Sequence, residues 1–271
     1  MSPDIVWFVA GLVAAGLLAG FVGGLFGIGG GVVVVPAIFL ILTALEVDES
    51  VRMHVAVGTS LSTIIATSWR SLTAHRQAGA VDFGVLKMWG PWIMLGAVAG
   101  SAVAGFASTE ALLMVFGFGL LLIAAQMGFG ATHWRLFRDL PHGIWRVVTA
   151  AGIGLFSALM GIGGGAFGVT VMTLSGRPIH RAVATASGFG AAIALPATLG
   201  YVIAGWGRVG LPPWSLGFVN LPGFIVLAAL TAITAPIGAR LAHRLPQEQL
   251  KRAFAVLLAL VALNMLRQAF S

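Results

Sequence analysis

The chain has 271 residues, 59% of them hydrophobic, and only 8% carry Lys, Arg, Asp or Glu. A soluble domain carries about 25% charge, and the mean hydropathy here is +1.01. Soluble enzymes, nucleic-acid modules and disordered chains are thereby excluded, which leaves an all-α polytopic membrane protein.

A bilayer core about 30 Å thick requires roughly 20 apolar residues per spanning helix. The first half holds apolar runs at Ile5–Phe26, Val32–Leu45, Val55–Leu72, Met88–Phe106 and Ala111–Phe129. The second holds Ile144–Met160, Ala166–Leu174, Ala182–Ala204, Leu221–Ala242 and Ala253–Phe270. Val32–Leu45 and Ala166–Leu174 are short, and each follows a glycine cluster. Residues 1–5 carry Asp4 and no Lys or Arg, so the first run reads as a retained helix rather than a signal peptide.

The halves repeat. Gly27-Ile28-Gly29-Gly30-Gly31 matches Gly161-Ile162-Gly163-Gly164-Gly165 at an offset of 134. His54–Thr59 matches His180–Thr185 at 126, and Glu110–Met127 matches Glu248–Met265 at 138. The expected organisation is a first transmembrane repeat (1–130), a basic linker (131–146) and a second repeat (147–271).

The 15 basic residues choose the topology. With five crossings per half and the N-terminus outside, Arg70, Arg76, Lys87, Arg135, Arg138, Arg146, Arg177, Arg181, Arg240, Arg244, Lys251 and Arg252 lie inside. Only Arg52, Arg208 and Arg267 lie outside. The positive-inside rule favours this arrangement, and an odd number of crossings makes the two repeats inverted. Both termini then lie outside. The +7 balance reads as a topology signal, with no nucleic-acid partner. All eight tryptophans fall at expected helix ends or in loops, as an interfacial belt requires. Pro36 and Pro196 are expected to kink or interrupt their segments.

Each glycine in a helix interior costs about 1 kcal/mol relative to alanine, so three in a row predict a break. A break inside a bilayer is tolerated where protein or a cavity satisfies the freed backbone. A helix restarting at Gly29, Gly30 and Gly31, or at Gly163, Gly164 and Gly165, presents a positive N-terminal end suited to an anion. Close helix packing is the alternative use of such glycines. Thr59, Ser60, Thr185 and Ser187 add hydroxyl donors, or bond their own helices. His54 and His180 are equivalent positions at helix starts, read either as capping residues or as gating and proton-linked ones. Arg177 and Arg181 are topology anchors or an anion-attracting vestibule. Gln126 and Asn264 are read as interhelical hydrogen-bonding amides.

The eight carboxylates all sit in loops or at helix ends, so no buried acid marks a cation site. The absence of cysteine removes disulfides and thiolate metal sites. No cofactor is expected and no catalytic constellation is present.

The chain resembles the sulfite exporter TauE/SafE family over about residues 5–268. The resemblance rests on Gly23–Gly31 with Pro36 following, on Ala56-Val57-Gly58-Thr59-Ser60-Leu61, and on the second copies at Gly161–Gly165 and Ala182–Ser187. The second Gly-Thr-Ser departs from the pattern as Ala184-Thr185-Ala186-Ser187. The resemblance implies a bacterial inner-membrane transporter that exports sulfite or small organosulfonates. Alternating access between the repeats, driven by membrane potential or proton coupling, is the expected mechanism. Another small anion, a metal cation, or a non-transporting membrane scaffold are the other readings. The partners are a small anion and lipid, and a homo-oligomer stays open.

Overall fold

The computed structural model describes residues 3–26, 30–129, 139–242 and 247–270. They form α1 (Pro3–Phe26), α2 (Gly31–Ala44), α3 (Glu49–Gln77), α4 (Phe83–Phe106), α5 (Thr109–Phe129), α6 (Gly143–Met160), α7 (Gly165–Leu174), α8 (Ile179–Ala204), α9 (Leu221–Ala242) and α10 (Gln247–Ala269). A hairpin of β1 (Ser215–Leu216) and β2 (Val219–Asn220) lies between α8 and α9. Each expected apolar run coincides with one helix. Among the described residues, α4, α5, α6, α8 and the Arg252–Ala269 stretch of α10 are long and apolar enough to cross a membrane.

Hydropathy places two helix starts too late. Helix α3 begins at Glu49, because the Asp48 side chain accepts the Ser50 amide at 2.9 Å. Helix α4 begins at Phe83, because Asp82 accepts the Val85 amide at 3.0 Å. Polar capping residues make good helix starts and poor hydropathy. Helix α6 begins at Gly143, within the stretch assigned to the basic linker.

Two expectations need correction. Pro36 and Pro196 lie inside continuous helices and interrupt neither. Trp89 is no belt residue: it is 2% exposed and stacks on Phe189 with ring centres 6.4 Å apart. Trp69, Trp145, Trp206 and Trp214 are exposed. Trp134 and the Trp7 side chain lie outside the described residues.

Helices α3 and α8 pack antiparallel at the centre, with Gly58 facing Tyr201 at one end and Gly190 facing Ser68 further along. Around them, α1 runs parallel to α9: Gly16 meets Leu230 and Gly20 meets Thr231. Helix α4 runs parallel to α6 in the same manner, since Gly96 meets Ala151 and Gly100 meets Leu155. Helices α5 and α10 form a further pair. The first helix of each half therefore lies against the fourth helix of the other. At Gly20 and Gly154 the partner backbone occupies the space a side chain would need. Such close approach supplies the packing that holds helices together in lipid, where no hydrophobic force does so.

Short helices α2 and α7 fold back toward the end at which the preceding helix began. Gly30 lies beside Ala19 of α1, while Ile41 of α2 lies beside Gly11. Helix α2 also packs on α3, and α7 on α8. The starts of both short helices are thus delivered to the α3–α8 crossing.

Candidate functional site at the meeting of the glycine clusters

The two glycine clusters touch. Gly161 ends α6 in a left-handed conformation at φ +66°. Its own N–H and that of Ile162 both bond the Ser157 carbonyl. Any side chain there would be strained, and a Cβ would lie 2.9 Å from Val35 and 3.0 Å from the Val57 backbone. Across the contact, a Cβ on Gly31 would lie 3.1 Å from Ile162 Cα and 3.3 Å from Ser60 Oγ. Ser60 closes the junction by donating its hydroxyl to the Gly161 carbonyl at 2.8 Å. Ser60 lies eleven residues into α3, about 16 Å along its axis, which is near the middle of a bilayer-sized bundle.

Both short helices begin in the interior without side-chain caps. Gly31 and Gly164 are buried, with Gly164 against Ile193 and Phe189 of α8 and Gly163 against Ile64 of α3. First-turn N–H groups have no partner within their own helix, and they carry the positive end of the helix dipole. Backbone donors from the two halves therefore converge in one apolar region. Gly29 lies outside the described residues.

The four hydroxyl residues are distributed differently from that cluster. Only Ser60 joins it. Thr59 Oγ1 accepts the backbone N–H of Asn220 at 2.9 Å, and Thr185 Oγ1 accepts that of Asp82 at 2.9 Å. Gly58 faces Tyr201, sixteen residues along α8 from Thr185, so the two threonines lie about 24 Å apart along the helix pair. Ser187 donates to Ala184 in its own helix at 2.7 Å.

The histidines separate too. His54 is 4% exposed. Its Nε2 lies 3.0 Å from the Ala104 carbonyl, its ring lies 4.8 Å from that of Phe218, and Nδ1 is buried without a partner. His180 and Arg181 are exposed at the opposite end. Arg177 is nearby in sequence and lies 3.4 Å from Asp139, which is 4.0 Å from His142. Repeat-equivalent sequence positions have become chemically unlike sites. Gln126 accepts a long bond from Thr170 of α7 at 3.5 Å.

Sequence reading did not single out Ser157, Tyr201, Phe218 or Asn220. Tyr201 is the chain's single tyrosine, is 1% exposed, and donates to the Ala158 carbonyl at 3.2 Å. Ser157 is completely buried and its Oγ has no partner. Its place four residues before Gly161 was the available signal. Among the described residues no group of three His, Asp or Glu side chains is placed to hold a metal ion.

The family model described as "Sulfite exporter TauE/SafE" matches residues 12–265. A probable membrane transporter protein of Haemophilus influenzae is 31% identical over 258 residues, spanning 95% of this chain and 98% of the relative. A probable membrane transporter protein of Methanocaldococcus jannaschii is 25% identical, spanning 94% of each chain. No solved structure matches.

Proposed function

The chain belongs to the sulfite exporter TauE/SafE family of membrane transporters, and from that premise we propose that it exports sulfite or a small organosulfonate across the bacterial inner membrane. One observation carries this reading: the glycine clusters that lead into the uncapped starts of α2 and α7 meet in the interior, where Gly31 lies against Gly161 and Ile162. Converging N–H donors suit an oxyanion without a buried counter-charge. A sulfite or sulfonate group offers three oxygens to such donors. Gly30, Gly31 and Gly163–Gly165 would supply them, with Ser60 holding the junction.

The reading includes two inverted repeats with both termini outside. The reciprocal pairs α1–α9 and α6–α4 support it, as does the distribution of basic residues. Alternating access would then move the halves against each other around the central junction. An inside-negative potential drives an anion outward by about 2.3 kcal/mol per charge per 100 mV. No coupling ion is required, although His54 offers an interior group for proton coupling.

Flux of sulfite and sulfoacetate into proteoliposomes under an imposed potential tests the proposal. Potential-dependent flux of at least one anion is expected, and its loss in Gly164→Leu protein that still inserts. Absence of flux for both anions in folded wild-type protein overturns it.

A further inference from the structure

The connection between α8 and α9 differs from its repeat counterpart. Residues 78–82 join α3 to α4 directly, whereas residues 205–220 hold the β1–β2 hairpin. Phe218, Val219 and Asn220 are 2–4% exposed. That depth is unusual for a connecting segment, which normally runs over the surface.

The hairpin is inserted between α3 and α8. The Phe218 ring lies 4.8 Å from that of His54 on α3 and 6.5 Å, edge on, from that of Tyr201 on α8. Its N–H donates to the Tyr201 carbonyl at 3.2 Å. A Cβ on Gly58 would lie 3.1 Å from the Phe218 carbonyl carbon, and one on Gly205 2.7 Å from its ring. Gly217 turns the chain at φ +55° while pressed against the Val202 backbone. Asn220 then locks the strand. Its N–H donates to Thr59, its side-chain amide donates to Pro213 at 3.1 Å and Ser215 at 3.3 Å, and its carbonyl oxygen accepts from Gly223 at 2.9 Å.

The geometry points to the hairpin as the gate at its own end of the pathway, with Phe218 as the gating side chain and the Asn220–Thr59 bond as its latch. This rests on the transport reading above. The Phe218 ring fills the α3–α8 cleft at His54 and its carbonyl lies at Gly58, which precedes Ser62 by four residues on the same α3 face. Ser62 is 5% exposed, and on the α8 side Tyr201, which Phe218 touches, donates to the Ala158 carbonyl three residues before Gly161 at the central junction. At the opposite end the matching threonine, Thr185, is bonded to Asp82 alone, with no inserted strand. The two ends are therefore gated by unequal elements, and the conformation described here is shut at the hairpin end. When the latch opens, the strand leaves as a unit, and Phe218 gives up its two ring contacts, its bond to Tyr201 and the backbone contacts at Gly58, Gly205 and Val202. The apolar contacts of Phe218 with His54 and Tyr201 are then exchanged for contacts at the hairpin surface.

A single-cysteine reporter tests the gate without requiring flux, because the native chain has no cysteine. Ser62→Cys is labelled in sealed vesicles by a membrane-impermeant thiol reagent applied to one face at a time. Slow labelling from the hairpin face is expected in the Phe218 parent. Phe218→Ala should raise that rate at least tenfold, on that face only, and Phe218→Leu should stay within threefold of the parent. A merely structural Phe218 would lower thermal stability and leave the labelling pattern unchanged. In parallel, Asp48→Cys/Gly210→Cys protein, which joins the hairpin loop to the start of α3 where a Gly210 Cβ would lie 2.8 Å from the Asp48 Cβ, is bridged with a short bifunctional thiol reagent and then reduced. Vesicles should lose substrate flux on bridging and regain it on reduction. Protection of Ser62→Cys that survives Phe218→Ala in monodisperse protein overturns the gate, as does unaltered flux through the bridged pair. If Phe218→Ala does not fold, the bridged pair decides. Wild-type protein without flux refutes the transport reading instead and leaves the labelling result to stand by itself.

Discussion

The backbone N–H of Asp82 donates to Thr185 Oγ1 across the two halves of the chain, and the bond between Asn220 and Thr59 repeats it with the halves exchanged. Thr59 and Thr185 are equivalent in the sequence repeat, and Asp82 and Asn220 each immediately precede a helix, α4 and α9. Each threonine thus fixes the first turn of a helix belonging to the other half. Replacing Thr59 by valine strands a buried N–H, which costs about 1–3 kcal/mol. Thr59→Val is expected to lower the unfolding midpoint in detergent, while Thr59→Ser stays near wild type. Thr185→Val should cost less, because its bond is only partly buried.

Glycines in the helix interfaces sort by what surrounds them. Gly96 and Gly154 face partner backbone directly, while Gly90 and Gly152 have nothing within 4 Å of an added Cβ. Gly96→Ala and Gly154→Ala should destabilise by about 1–3 kcal/mol or more through overpacking. Gly90→Ala and Gly152→Ala should be neutral or stabilise by up to about 1 kcal/mol through helix propensity. Thermal unfolding of the four variants side by side separates the two groups. Equal effects at all four would remove the close-packing account of α4 and α6.

Ser157 is the one completely buried hydroxyl residue, among those described, whose oxygen has no partner; Thr59, Ser60 and Thr185 all have one. An unpaired buried hydroxyl opposes folding, so Ser157→Ala should leave the ligand-free protein as stable as wild type or more so. The position is one turn from Gly161, at the proposed anion site. The same variant is therefore expected to raise KM for the transported anion several-fold. A stability loss of more than about 1 kcal/mol would mean that the hydroxyl is engaged in the ligand-free protein.

Asp48 caps α3 outside the spanning part of the helix. Its hydrogen bonds from the Ser50 hydroxyl at 2.7 Å and amide at 2.9 Å hold the carboxyl below its ordinary value, with a smaller contribution from Arg52. A depressed folded-state pKa contributes stability that is present above the unfolded pKa, near 4, and is lost as pH falls through the lowered value. The Asp48 carboxyl resonance should titrate below that of a free aspartate, and Ser50→Ala should move its midpoint upward. An unchanged midpoint in Ser50→Ala would assign the shift elsewhere.

Much of this architecture was legible because lipid forces it. Ten apolar runs mark the ten helices among the described residues, and the doubled glycine clusters mark the central junction. Local capping was hidden, since Asp48 and Asp82 look like loop residues to a hydropathy scan. Trp89 was misread because aromatic residues serve both membrane interfaces and cores, and only its contact with Phe189 distinguishes them. The hydroxyl set was partly legible. Thr59 and Ser60 are adjacent in sequence, yet Ser60 reaches the glycine junction and Thr59 reaches the α9 start. One residue step turns a side chain about 100° around a helix, which decides between those destinations. The hairpin left almost no trace: two two-residue strands carry too little pattern, and their position depends on space left by Gly58 and Gly205.

The packing of α1 on α9 also governs how the protein is made. Helix α1 leaves the ribosome well before α9, the helix it packs against most extensively. Throughout synthesis of the intervening segments, the small-residue face around Gly16 and Gly20 has only α2 and lipid beside it. The final bundle therefore closes late, as a joining of two halves already in the membrane. Expressed as separate polypeptides, neither half would contain the α1–α9, α4–α6, α3–α8 or α5–α10 interface, and only the two together would restore them.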